Sequence, residues 1–156
     1  LQQYLRRQGL LIDGVEYTGR DESSDIVVQI VKGLMEEVGL DVPIIEIDRA
    51  HRIGPTYRND GKSYKTIIAK FVNFNTRTHF FRKRKELSNN VKLRVDLTKQ
   101  NYGLLKTILD IIDVRKLSDV YAYSDINCRI KIVNKESLES TIIGSIDEIE
   151  SYFSQC

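Results

Sequence analysis

Two apolar periods alternate along the chain, and the switches between them outline its elements. Ile26, Ile30, Leu34 and Val38 recur at helical spacing, with Val27, Val31 and Met35 widening the stripe. Ser23 or Ser24 can cap this helix, Asp25 adds negative charge to its first turn, and Gly39 ends it. Before it, LLIDGV (10–15) reads as a short buried strand leaving at Gly14. After Pro43 the period changes to two, through Ile45, Ile47, His51 and Ile53, which is strand patterning. GPTYRNDGKS (54–63), with two glycines, a proline and Asn-Asp-Gly, reads as a loop, and YKTIIAKFV as the next strand. Asn75 or Thr76 then caps a helix that carries Phe80, Phe81 and Leu87. Ser88-Asn89-Asn90 breaks it, and VKLRVDL alternates again through Val91, Leu93 and Val95.

This order is β-α-β-β-α-β, a split βαβ or ferredoxin-like arrangement, in which both helices cover one face of a four-stranded antiparallel sheet. RNA-recognition motifs are built this way and use the other face for a ligand. The remainder predicts a small α+β domain. Thr98 caps a helix with the stripe Leu104, Leu105, Ile108, Leu109 and Ile112. VYAY (120–123) and CRIKIV (128–133) form a hairpin, and Ser145 with Glu148 forms a capping box for a last helix carrying Ile146, Ile149 and Phe153. The chain therefore divides into 1–9, 10–96 and 97–156. The first piece, with Leu1 and Leu5 on one face and Gly9 as a stop, has the look of the end of an upstream coiled coil.

Composition narrows the classes. A hydrophobic content of 41% supports a packed core, and no apolar run approaches the ~18 residues of a membrane span. Nothing resembles a secretory signal. The start at Leu1, with Met35 the single methionine, is read as a fragment of a longer protein. Cys128 and Cys156 make neither a disulfide framework nor a zinc pattern, which favours a reducing compartment.

Charge changes the picture more. Fifteen of the 24 basic residues lie between Arg49 and Lys106 with only three acids, Asp60, Glu86 and Asp96, giving this segment +12. The flanks carry −6 and −4, so the net +2 hides a basic middle that suits a polyanion. The basic side chains that could bind it are Arg49 and Arg52 on the second strand, Arg58 and Lys62 on the loop, Lys65 and Lys70 around the third strand, Arg77, Arg82, Arg84 and Lys85 on the second helix, Arg94 on the fourth strand, and Lys99 and Lys106 in the second domain. His51 beside Arg52 is a further phosphate candidate, ordinary strand packing being its alternative. Tyr57, Tyr64, Tyr121 and Tyr123 can stack on bases or serve as core and rim residues. The first and third strands, LLID and KTIIAK, offer no ring where RNA-recognition motifs place them. Binding is therefore expected to be dominated by the nucleic-acid backbone and tolerant of sequence. His51 and His79 lack metal-ligand spacing, Asp48 and Asp60 are not held together, and there is no P-loop, G-x-S-x-G or G-x-G-x-x-G. The expectation is a non-enzyme without metal or cofactor.

Arg6-Arg7 with GLLIDGV, then EIDRAHRIGP, a basic stretch, TIIAKFVNFNTR, VKLRVDLTKQNYGLL and VYAYSDINCRIKIV are together similar to the nucleic-acid-binding part of the first open-reading-frame protein of LINE-type retrotransposons (transposase-22-like). The same pattern, including DLTKQN, resembles the few-polyhedra proteins of insect baculoviruses. The resemblance implies a ribonucleoprotein component of the cytoplasm or also the nucleus that forms homo-trimers or other homo-oligomers through an upstream coiled coil. It implies single-stranded RNA or DNA bound between the two domains, with chaperone activity and no membrane association. Carried over residue by residue, it points to Arg52, Arg58, Lys70, Lys85, Lys106 and Tyr123, and Arg6 and Arg7 of the first motif join them as candidate nucleic-acid contacts. Leu11 departs from an arginine that family members can carry on the first strand, and several lysines stand for arginines, which keeps charge but loses the bidentate fork. The alternatives are a viral few-polyhedra-like role and a protein-interaction or self-assembly module on the same fold.

Overall fold

A computed structural model describes residues 2–19, 22–88 and 90–154. The chain is a mixed α+β protein with two antiparallel sheets, and it divides into two compact units. Arg7–Asp96 form one. The segment from Leu97 onward forms the other, together with the short N-terminal helix α1 (Gln2–Arg6).

The first unit runs β1 (Gly9–Asp13), α2 (Ser24–Glu37), β2 (Ile47–Asn59), β3 (Lys62–Phe71), α3 (Phe74–Arg82) and β4 (Lys92–Val95). Its sheet order is β2-β3-β1-β4, the split βαβ order, with every neighbour antiparallel. One sheet face is dry: Leu10 and Ile12, Ile47 and Ala50, Ile67, Ala69 and Phe71, and Leu93 and Val95 are all buried. Against them lie Val27, Val31 and Met35 of α2, and Phe80 and Phe81 of α3. The core stripe of α2 is thus centred one position later than the i, i+4 series anticipated, and Ile26 is 45% exposed. Ser23 caps α2 through its hydroxyl, which accepts from the Ile26 amide.

Two local expectations change. Helix α3 starts earlier than anticipated: Asn73 is its N-cap, its side-chain oxygen accepting from the Asn75 amide at 2.8 Å. Helix α3 also ends earlier, and a 3₁₀ turn (Arg84–Glu86) follows. The anticipated loop 54–63 is instead the far half of a long hairpin. Tyr57, Arg58 and Asn59 pair with Tyr64, Ser63 and Lys62 around a two-residue turn at Asp60 (φ 51°) and Gly61 (φ 76°). Asp-Gly with two positive φ values is the turn whose twist suits a tight hairpin. Gly54 and Pro55, which look like breakers, occupy an irregularity between Ile53 and Tyr57 without ending the strand.

The second unit contains α4 (Lys99–Val114), β5 (Val120–Ser124), β6 (Ile130–Asn134), β7 (Ser140–Ile143) and α5 (Ile146–Ser154). Leu104 and Ile108 of α4, Val120, Ile130, Ile132 and Ile143 of the sheet, and Ile149 and Phe153 of α5 make its core. The third strand β7 extends the hairpin read from the sequence. Thr98 caps α4, accepting from the Asn101 amide, and Ser145 accepts from the Glu148 amide in the capping box. Helix α1 docks through Gln3, whose side-chain oxygen accepts from the Thr98 amide (2.8 Å) and from the Asn101 side chain (2.9 Å). Leu1, the Leu5 side chain and Cys156 lie outside the described residues, so the coiled-coil stripe does too. Cys128 is buried, and among the described residues no helix is long and apolar enough to cross a membrane.

Candidate nucleic-acid interface

In an antiparallel sheet, residues paired across strands project to the same face. The register therefore fixes what the face opposite the helices displays. One row runs His51, Ile68, Leu11, Arg94 across all four strands. Beside it Arg49 sits opposite Lys70, and on the other side Ile53 pairs with Thr66 and Asp13 with Lys92. The face is aliphatic at its centre and cationic at both edge strands. Placing Arg49 directly opposite Lys70 costs stability in isolation, since like charges across a strand pair repel. Among the described residues Arg49 has a loose contact to its neighbour Asp48, at 3.9 Å.

Asp13 is the carboxylate within this face. It accepts from the Thr66 hydroxyl at 2.7 Å and is held by the Arg94 guanidinium through both oxygens. Burial alone would raise its pKa, but the hydrogen bonds from Arg94 and Thr66, with the Arg94 charge, outweigh that and hold it below the ordinary aspartate value.

The same face continues along the hairpin. Tyr57 and Tyr64 are paired in register, and their rings stack with centroids 5.6 Å apart and planes 22° from parallel. Asn59 and Lys62 follow at the tip. The centre of the sheet lacks rings, as the strand sequences imply. The hairpin supplies a pair that the loop assignment hid.

The candidate residues separate by position. Arg49 and Lys70 come together on the open face, and Lys62 shares that face far along the hairpin, at its tip. Arg52 does not. It pairs with Ile67 on the helix-covered face, and its side chain is only 6% exposed. Its Nε donates to Glu22 at 2.7 Å, Nη1 to the Val15 and Lys65 carbonyls, and Nη2 to the Glu16 carbonyl. The Tyr17 ring lies 5.2 Å from this guanidinium and 5.3 Å from the Lys65 ammonium. Arg52 therefore clamps Val15, Glu16 and Glu22 to the hairpin, and it does not join the other candidates on the open face. Lys65 projects to the same side as Arg52. Arg58 donates to the Gly61 carbonyl across the turn. Arg7 lies over the Phe74 ring at 5.5 Å. Arg77, another basic residue of α3, is fully buried, donating to the Gly9 carbonyl between the Phe74 and Phe81 rings.

Lys85 belongs to a different feature. With Arg84 and Lys92 it lines a cleft of about 310 Å³ whose remaining walls are Leu87, Ser88, Val91 and Leu93. Arg84 is fixed there, 4.2 Å over the Phe81 ring and donating to the Phe81 carbonyl. Arg82 is exposed on α3. Lys92 escaped the sequence reading although its signal was present. Val91, Leu93 and Val95 claim one side of the strand, so Lys92 and Arg94 had to take the other.

In the second unit, Tyr121 and Tyr123 stack at 6.0 Å on the exposed face of the β5-β6-β7 sheet, beside Val133, Lys131 and Ile142 in register. Lys131 is tied to Asp125 at 3.2 Å. Burial would raise the Asp125 pKa, but the Arg129 backbone, Lys131 and the Arg129 charge more than offset it, so it is lowered. Lys106 is exposed on α4, and Arg6 donates to the Leu97 carbonyl. Among the described residues no group of three or more His, Cys, Asp or Glu side chains is arranged to hold a metal ion. No protein-family model matches the chain, and no curated protein matches its sequence.

Proposed function

We propose that this protein binds single-stranded nucleic acid, RNA foremost, without catalysing a reaction and largely without regard to sequence. The observation that carries this reading is the uncovered sheet face of the first unit. Arg49 and Lys70 stand side by side there, Lys92 and Arg94 border the far edge, and a stacked tyrosine pair extends the same face along the hairpin. Cations along a sheet follow a phosphate backbone, and rings accept any base because every base has a π-face. The exposed Tyr121–Tyr123 pair gives the second unit the same kind of surface. The role that best fits the sequence resemblance is a nucleic-acid chaperone of a LINE-type retrotransposon ribonucleoprotein, assembled as a homo-oligomer.

The test is a salt titration with a labelled oligonucleotide. If about five phosphates are met, the logarithm of affinity falls with a slope of about −3.5 against the logarithm of salt. That is a loss of roughly 500-fold between about 50 and 300 mM. Arg49→Glu and Lys70→Glu should weaken binding alike for poly-U, poly-A and mixed strands. Equal affinity at both salt concentrations, or no binding to any single strand, refutes the reading.

A further inference from the structure

Toward the tip of the β2–β3 hairpin the open face ends in a cleft of about 150 Å³ lined by Gly14, Tyr57, Asn59, Asp60, Tyr64 and Asn90. This is smaller than the ~300–1,000 Å³ pockets that enclose whole small-molecule ligands, and it suits one flat ring system. One wall is the Tyr57–Tyr64 stack, with Tyr57 43% exposed. The opposite wall is Asn90, brought close by Gly14: a Cβ there would lie 1.6 Å from the Asn90 carbonyl oxygen. The Asn59 amide and the Asp60 carboxylate complete the lining, and the Asp60 carboxylate makes no hydrogen bond or ion pair among the described residues.

Asp60 is out of place in a surface that meets only phosphates. It is one of three acids in the segment 49–106, and it sits between Arg58 and Lys62 at the tip of the basic hairpin. The tight turn does not need a carboxylate, because Asn takes the same positive φ as readily. A carboxylate accepts hydrogen bonds and donates none. Its natural complement is an edge with two adjacent N–H donors. Guanine offers that edge through N1–H and N2–H. Adenine, cytosine and uracil do not.

We propose that this cleft is a nucleobase subsite that stacks one base against Tyr57 and Tyr64 and selects guanine through Asp60. The proposal rests on the single-strand-binding reading and adds a local preference to a sequence-tolerant background. A bidentate base contact is worth ~1–3 kcal/mol in discrimination, and an exposed one falls at the low end, about five- to tenfold.

The experiment is fluorescence anisotropy with a 12-nucleotide oligo-U carrying U, A, G or inosine at its centre. Guanine should bind about five- to tenfold tighter than U or A, and inosine, which lacks the N2 amine, should lose most of that gain. Asp60→Asn keeps the turn, so it should abolish the guanine advantage while leaving oligo-U affinity unchanged or higher, since a negative charge has left the phosphate path. Equal binding of all four strands, or a guanine advantage that survives Asp60→Asn, overturns the subsite while single-strand binding stands. Absence of binding to every strand overturns both.

Discussion

Arg52 tests whether the basic middle is one surface or several roles. Its guanidinium makes four hydrogen bonds of 2.6–2.9 Å, one to Glu22 and three to backbone carbonyls. Both members of the ion pair are nearly dry, with side chains 6% and 8% exposed. Removing one partner of such a pair leaves an uncompensated charge and costs about 3–5 kcal/mol. The Val15, Glu16 and Lys65 carbonyls lose a donor as well, although those near the surface regain water. Arg52→Ala should therefore destabilise the first unit by about 3–4 kcal/mol, a large share of the ~5–15 kcal/mol available to a domain. Arg52→Lys should recover part of this, because an ammonium can keep Glu22 or one carbonyl but not the planar fork, leaving a loss of about 2 kcal/mol.

With no tryptophan in the chain, far-UV circular dichroism during urea unfolding is the natural measurement. Arg52→Ala with Glu22→Gln, and the two together, complete a double-mutant cycle whose coupling should exceed about 1 kcal/mol. Under conditions where Arg52→Ala remains folded, nucleic-acid affinity and its salt slope should stay close to wild type. The opposite pattern, with stability unchanged to within ~0.5 kcal/mol and a weaker, flatter salt response, would return Arg52 to the binding surface.

Three further outcomes follow from single contacts. Gly14→Ala should cost at least ~3 kcal/mol and lower Tm sharply, because the new Cβ meets the Asn90 carbonyl in addition to the strain of a positive φ, whereas Gly39→Ala, with open space around it, should cost about 1; equal losses would remove the close-approach argument. Thr78→Val should be neutral or stabilise by up to about 1 kcal/mol in urea unfolding, since the buried Thr78 hydroxyl has no partner among the described residues; a loss above about 1 kcal/mol would mean the hydroxyl is satisfied. Asp13 has a lowered pKa in the folded state, so the unfolded chain takes up its proton first as pH falls, and the stability from Asp13 is present above about pH 4 and lost as pH drops through the folded value. Asp13→Asn should therefore be less stable than wild type at pH 7 and converge with it in acid, and a gap that stays constant down to about pH 2 would refute the assignment.

The β-α-β-β-α-β order could be read from the chain because its helices and strands keep clean periods and visible caps. The site was legible only as a charge imbalance, and the reason lies at Asp48. A plain period of two through Ile47 would put Arg49, His51 and Ile53 on the same face as Ile47, and Ala50 and Arg52 on the other. The sheet has a one-residue irregularity between Ile47 and Arg49. One extra residue reverses which face every later side chain takes. Buried Ile47 is therefore followed on the dry face by Ala50 and Arg52, while Arg49 and His51 turn to the open face.

The second irregularity, between Ile53 and Tyr57, has the opposite consequence. Three residues separate that pair on β2, while one separates their partners Thr66 and Tyr64 on β3. Two extra residues preserve the face, so Tyr57 continues the side of Ile53 and meets Tyr64. The first bulge thus separates a clamping arginine from candidate phosphate contacts that are its sequence neighbours, and the second carries a pair of rings out along their face. Both are properties of backbone pairing between strands, which side-chain periodicity within one strand does not record. Deleting Asp48 would make this physical: it should restore the plain register, drive Arg49 and His51 inward, and unfold the first unit as followed by circular dichroism. Retention of the native melting temperature in that deletion would show that the bulge does not set the face.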